Sequence, residues 1–198
     1  MICIVDYGAG NLASVMKGLR ATGAEPRVVR APAELTAATG VVVPGVGHFD
    51  ATRSLGAEWR AAVRDAMGRG VPLLGICLGM QWLYAGSDEA PDVDGLGIFD
   101  GRVRRLTGAV KLPHVGWNSL DAVSASSLLD GVDAGAEAYF THSYAAPVGA
   151  DTVASTEHGD VFASVVERGV VAGMQFHPEK SGQVGLRLLK NWVASHAL

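Results

Sequence analysis

The chain has 198 residues, 48% hydrophobic and 18% charged, with a formal net charge of −4. A chain of this length buries about 70% of its unfolded surface without disulfide or metal staples, and so mild a charge excess excludes nucleic acid or anionic lipid as the main partner. The two cysteines, Cys3 and Cys77, lack the CxxC spacing of a metal site, and no uncharged apolar stretch approaches the ~18 residues of a membrane span.

In chain order, residues 1–5 read as a strand, with Cys3 in the core. Asp6 interrupts the apolar start, which argues against a signal peptide and for a cytoplasmic protein. Asn11 is placed to cap a helix carrying Leu12, Val15, Met16 and Leu19 on one face. Residues 26–29 and the β-branched run 41–43 are the next strands, followed by a helix over about 50–67. Another strand runs into Cys77, and a helix bearing Met80, Gln81, Leu83 and Tyr84 follows it. This alternation predicts a parallel sheet built from βαβ units. Residues 87–101 are turn-rich and acidic, and the short basic patch 102–105 reads as a solvated strand edge. From there to about 171, short strands such as 161–166 replace helical patterning, which predicts antiparallel or mixed pairing. Residues 170–176 form a buried strand, and 180–195 a closing helix with Val184, Leu188, Leu189, Trp192 and Val193 on its apolar face. No linker or repeat interrupts the chain. The expected fold is one α/β domain over residues 1–198, a flavodoxin-like, mostly parallel or mixed central sheet flanked by helices, with antiparallel strands in the C-terminal half.

Chemistry concentrates in three segments. In Gly75-Ile76-Cys77-Leu78-Gly79 the flanking glycines let a strand reverse sharply into a helix, which pushes the sulfur out at a helix N-terminus where positive potential favours thiolate over thiol. One hundred residues later stands His177-Pro178-Glu179. Pro178 disfavours helical geometry at His177, so the tripeptide should run extended and turn Glu179 toward the imidazole, fixing its tautomer for proton exchange with the sulfur. The third segment, Pro44-Gly45-Val46-Gly47, leaves a β-branched strand. Its glycines allow close backbone approach to a substrate, so the N–H groups of Val46 and Leu78 could together form an oxyanion hole. Taken singly, each segment also reads as a structural turn. Together, at the ends of strands that share one sheet edge, they favour a cysteine nucleophile attacking an amide or ester.

These segments, with Asp6-Tyr7-Gly8-Ala9-Gly10-Asn11, Pro113-His114-Val115-Gly116-Trp117-Asn118, His142-Ser143-Tyr144 and residues 175–181, resemble the class I glutamine amidotransferases across nearly the whole chain. The resemblance is nearest to the branch formed by glutaminase subunits of imidazole glycerol phosphate synthase. It implies a triad of Cys77, His177 and Glu179, hydrolysis of L-glutamine through a thioester, and no cofactor or metal. It further implies glutamine binding by Gly45, Gly47, Gln81, Glu89, Ser143 and Tyr144. The implied partner is a (βα)8-barrel cyclase subunit, joined as a heterodimer, that receives the ammonia through a channel, with Asn11, His114, Trp117, Tyr139 and Lys180 at the interface or ammonia gate. By resemblance, the loop donor at Val46 aligns only when the partner binds its own substrate. Trp117 and Tyr139 are equally explained as core aromatics, and Gln81 and Glu89 as ordinary surface polarity. Amidotransferase subunits for anthranilate, guanylate or pyridoxal phosphate synthesis would share the triad, but the PGVG loop and PHVGWN segment favour the histidine pathway. A stand-alone thiol hydrolase would share the elbow, and a flavodoxin-like binding module would leave Cys77 structural. Neither a GxGxxG fingerprint nor a P-loop supports the last of these.

Overall fold

Short, continuously apolar strands buried on both faces set the architecture of the computed structural model, which describes residues 1–196. In chain order the strands are β1 (Ile2–Val5), β2 (Pro26–Val29), β3 (Gly40–Val43), β4 (Leu73–Ile76), β5 (Gly86–Ser87), β6 (Ala90–Asp94), β7 (Arg104–Arg105), β8 (His114–Ser119), β9 (Asp121–Ala122), β10 (Glu137–His142), β11 (Tyr144–Ala145), β12 (Thr152–His158), β13 (Asp160–Arg168) and β14 (Val171–Met174). The α-helices are α1 (Leu12–Arg20), α2 (Ala57–Gly68), α3 (Leu78–Trp82) and α4 (Gly182–His196). An eight-stranded sheet runs β2-β1-β3-β4-β14-β13-β12-β9. Pairing is parallel from β2 to β14 and antiparallel from β14 to β9, as the change of patterning along the chain predicts.

The two-residue period of the strands sorts their side chains onto two faces. Ile2, Ile4, Val42, Leu74 and Met174 pack with Val15 and Leu19 of α1 and with Leu188, Leu189 and Trp192 of α4. Cys3, Val5, Val41, Val43 and Leu73 pack instead with Trp59 and Val63 of α2 and with Met80 and Trp82 of α3. Both Trp82 and Trp192 are fully buried, and loss of either ring would cost roughly 3 to 5 kcal/mol. Asn11 caps α1 as expected, its Oδ1 accepting from Ser14 N at 3.3 Å.

Four elements differ from expectation, the first being α3, which ends at Trp82 and leaves Leu83 and Tyr84 beyond it. The helix expected over 50–67 is a 3-10 helix, Phe49–Ser54, followed by α2, because Gly56 adopts an extended conformation (φ −66°, ψ −166°) between them. The turn-rich segment 87–101 holds β6, which pairs with β5. The closing helix starts at Gly182, since Pro178–Lys180 forms its own 3-10 turn before it.

Register places the chemistry. Val43 of β3 is level with Gly75 of β4, and Ile76 of β4 with Met174 of β14. The chain therefore leaves all three neighbouring strands at one edge, delivering the Pro44–Gly47 loop, Cys77 and His177 to the same place. Beside them, β8 and β10 form an antiparallel pair in which Trp117 opposes Tyr139 and His114 opposes His142.

Candidate active site

Cys77 has φ 52° and ψ −108°, and among the described residues it is the non-glycine residue held at positive φ. Such strain persists only where surroundings over-determine it. Here the Cys77 N–H donates to Met174 O at 2.7 Å and its carbonyl accepts from Gln81 N at 3.0 Å. Close approach does the rest. A Cβ on Gly79 would lie 1.8 Å from Val43 O, so only glycine lets α3 sit this near β3. A Cβ on Gly45 would lie 2.3 Å from the Tyr7 hydroxyl oxygen and 2.7 Å from Leu78 Cβ, so the loop packs directly on the elbow. Because α3 spans five residues, its electrostatic contribution rests on the free N–H groups of the first turn, Leu78 included, more than on a long macrodipole.

His177 leaves β14 in an extended conformation (φ −99°, ψ 95°) and is almost wholly buried. Its Nδ1 donates to Glu179 Oε1 at 2.9 Å. The contact forms through the 3-10 turn at Pro178, not through an extended tripeptide, so the expected pairing is reached by a different backbone path. Ser181 Oγ donates to His177 O at 2.7 Å and accepts from Tyr139 N at 2.9 Å, while His177 N donates to Tyr139 O at 3.0 Å, which fastens the histidine to β10. Burial alone would lower the imidazole pKa, but its interactions with Cys77 and then Glu179 outweigh burial and raise it to about 10. Nε2 itself lacks a hydrogen bond of strict geometry among the described residues, as does Glu179 Oε2. Such looseness is common in catalytic contacts before substrate binds.

A small cavity of about 40 Å³ opens beside the sulfur, lined by Gly47, Cys77, Leu78, Gln81, Glu89, Thr141, His142, Ser143 and Tyr144. Gln81 is buried and donates from Nε2 to Tyr144 O at 2.8 Å and to Gln175 Oε1 at 3.2 Å. Glu89 Oε2 accepts from Phe49 N at 2.8 Å, which ties the segment after the Pro44–Gly47 loop to the cavity wall. Neither side chain is ordinary surface polarity.

With this geometry in view, the family described as glutamine amidotransferase class-I matches residues 3–195. The chain belongs to that family. Among curated relatives, the imidazole glycerol phosphate synthase subunit HisH of Moorella thermoacetica is 46% identical over 195 residues, covering 96% of this chain and 93% of the relative. That of Halobacterium salinarum is 48% identical over 201 residues, covering 97% and 92%. A crystal structure of a glutamine amidotransferase shares the fold with a TM-score of 0.78 at 20% identity, covering 100% of both chains. The structure of PurLQS from Thermotoga maritima does so with a TM-score of 0.74 at 20% identity, covering 98% of this chain and 97% of the other.

The remaining residues singled out in sequence are dispersed around this candidate site. Trp117 is 53% exposed and stands with Val115, 58% exposed, on the outer side of β8, so Trp117 is no core aromatic. Its ring meets Tyr139 edge-on at 6.1 Å, and Lys180 is exposed one residue after Glu179. His114, by contrast, is 4% exposed and can reach a partner only through its strand. Asn11 is at the surface, but its side chain is engaged in capping α1. Sequence reasoning assigned no role to Gln175, Thr141, His142 or Tyr7, all of which the amidotransferase fold brings to the cavity or the elbow. Gln175 carried a signal in retrospect: a polar residue inside the apolar run that ends at His177.

Proposed function

We propose that the chain is the glutaminase subunit of an imidazole glycerol phosphate synthase, working in the cytoplasm in histidine biosynthesis. The Cys77 thiolate attacks the side-chain amide carbon of L-glutamine, and the N–H groups of Leu78 and Val46 receive the developing oxyanion. Collapse of the tetrahedral intermediate breaks the C–N bond as the His177 imidazolium protonates the leaving nitrogen, releasing ammonia and leaving a γ-glutamyl thioester. Water then attacks the thioester, His177 takes its proton, and glutamate departs with the thiolate–imidazolium pair restored. Glu179 keeps His177 in the tautomer and orientation for both transfers. Gly45, Gly47, Gln81, Glu89 and the backbone at Ser143 and Tyr144 hold the amino-acid end of glutamine.

The observation that carries this reading is the His177–Glu179 contact of 2.9 Å at the sheet edge where Cys77 is held at positive φ. The names of the curated relatives supply the pathway, and with it a cyclase partner. That partner is a (βα)8 barrel forming a heterodimer with this chain over Val115, Trp117, Tyr139 and Lys180, with Asn11 and His114 as further interface or gate residues, and it takes the ammonia through a protected channel. An exposed apolar pair on one strand suits such an interface. The test is glutamate release by the purified chain, alone and then with the cyclase subunit and its phosphoribulosyl-formimino ribonucleotide substrate. A large rise on both additions, abolished by Cys77→Ala, is expected. Full activity without them would instead indicate an ungated amidase.

A further inference from the structure

Gln175 follows β14 directly, in a run where its neighbours from Val171 to Phe176 are all buried. It is itself fully buried. A primary amide in such a place costs roughly 1 to 3 kcal/mol unless its hydrogen bonds are met. Gln175 meets them in a directed way. Its Oε1 accepts from Gln81 Nε2 at 3.2 Å, and its Nε2 lies 3.7 Å from Cys77 Sγ.

The direction of both amides follows from one atom. A backbone carbonyl can only accept, so the Gln81 group that meets Tyr144 O at 2.8 Å must be its NH2. The second N–H of that group then donates to Gln175, which presents its carbonyl oxygen to Gln81 and its own NH2 to the sulfur. The same Tyr144 carbonyl accepts from His142 Nδ1 at 3.0 Å, leaving His142 Nε2 to accept from His114 Nδ1 at 3.2 Å. His114 Nε2 in turn accepts from Asn118 Nδ2 at 3.3 Å, and Asn118 also donates to Glu157 O at 2.9 Å. A single buried chain of donors and acceptors thus joins the sulfur to β8, the strand that exposes Val115 and Trp117.

We propose that Gln175 is a hydrogen-bond donor to the Cys77 thiolate, aimed by the Tyr144 carbonyl through Gln81. A thiolate accepts hydrogen bonds more strongly than a thiol, so the amide favours the reactive form and holds the sulfur in the elbow. The inference rests on the reading of Cys77 as nucleophile, and its test separates the two.

The experiment is the rate of Cys77 alkylation by iodoacetamide as a function of pH in the full chain, for wild type, Gln175→Leu and Gln175→Glu, with thermal unfolding of each. The titratable groups facing the sulfur are His177, with Glu179 behind it, Tyr7, Glu89 and His142, and none of them is altered in either variant. Gln175→Leu removes the donor at similar volume and should move the alkylation midpoint up by about one pH unit, roughly a tenfold loss of rate below the midpoint. Gln175→Glu keeps the shape and the acceptor for Gln81 but places negative charge at the sulfur, so it should move the midpoint further. Unchanged profiles in folded variants would overturn the proposal, whatever the change in melting temperature. Wild-type Cys77 reacting no faster than buried Cys3 would instead overturn the nucleophile reading. Should neither variant fold, the side-chain amide resonance of Gln175 in 15N-labelled wild type decides. A shift that titrates with the alkylation midpoint supports the proposal, and a shift constant with pH contradicts it.

Discussion

Gly79→Ala and Gly68→Ala are the same chemical change on two helices, with opposite expected outcomes. A Cβ at Gly79 would lie 1.8 Å from Val43 O, more than 1 Å inside the closest approach that real side chains show, and 2.7 Å from Val43 C. Neither side can yield easily, since β3 is paired through Val43 to Gly75 of β4 and α3 is anchored by Cys77 at its start. Overpacking of this kind costs about 1 to 3 kcal/mol and more when both partners are backbone, against a helix-propensity gain of at most ~1 kcal/mol. A net loss of about 2 kcal/mol or more is expected for Gly79→Ala. Relief of the clash by a 1 Å displacement of Leu78 would lower glutaminase activity about a hundredfold beyond the loss of stability. Gly68 ends α2 with nothing within 4 Å of its added Cβ, so Gly68→Ala should be neutral or stabilise by up to ~1 kcal/mol. Urea unfolding and steady-state glutamate release on the two variants measure both effects. A Gly79→Ala protein as stable and active as wild type would refute the close-approach account of the elbow.

Burial first, and repulsion second, from His158 on His114 and from His114 on His142, hold His114 at about 4 and His142 at about 3. Folded values below the ordinary ~6.5 mean that this stability is present above that pH and lost as pH falls toward 3, on the order of 2 to 4 kcal/mol by pH 5 for the pair. His177, raised to about 10, works the other way: its contribution is complete only well below ~6.5, where both states are protonated, and fades as pH rises toward 10, so between pH 7 and pH 5 it offsets the loss by about 1 kcal/mol or less. Urea midpoints that do not fall between pH 7 and pH 5 would contradict the acid limb. Glu179→Gln removes the buried carboxylate on Nδ1, and kcat/KM for glutamine should drop at least about a hundredfold, with the His177 titration moving down from its raised value. A pH–rate profile like that of wild type would rule out the orienting role. For Trp117→Ala, half-exposed, a stability cost under about 1 kcal/mol is expected together with loss of stimulation by the cyclase partner. Undiminished stimulation would remove Trp117 from the interface.

Much of this arrangement was legible because it is local. Val41-Val42-Val43 before Pro44-Gly45, and Leu73-Leu74 before Gly75-Ile76-Cys77, each declare a strand and a tight turn within a few residues, and parallel packing then brings their ends together. Gly56 was unreadable as a break because glycine is tolerated inside helical patterns, and the non-helical backbone of Leu55 and Gly56 separates the 3-10 helix from α2. Pro178 keeps His177 out of helical geometry as expected, but the chain beyond it makes a 3-10 turn instead of running extended, since proline suits both extended and first-turn positions. The chain of hydrogen bonds from Asn118 to Gln175 spans residues far apart in sequence and carries no periodic signal. It becomes visible only when the β8–β10 pair packs against the segment that leaves β14.

The most direct measurement is acid quench of the chain during glutamine turnover with its cyclase partner, followed by peptide mapping. A γ-glutamyl adduct on the peptide containing Cys77, absent in Cys77→Ala and accumulating when His177 is replaced by Asn only if acylation survives that change, is the predicted result. Turnover with no adduct on Cys77, or with the adduct on another residue, would contradict the account.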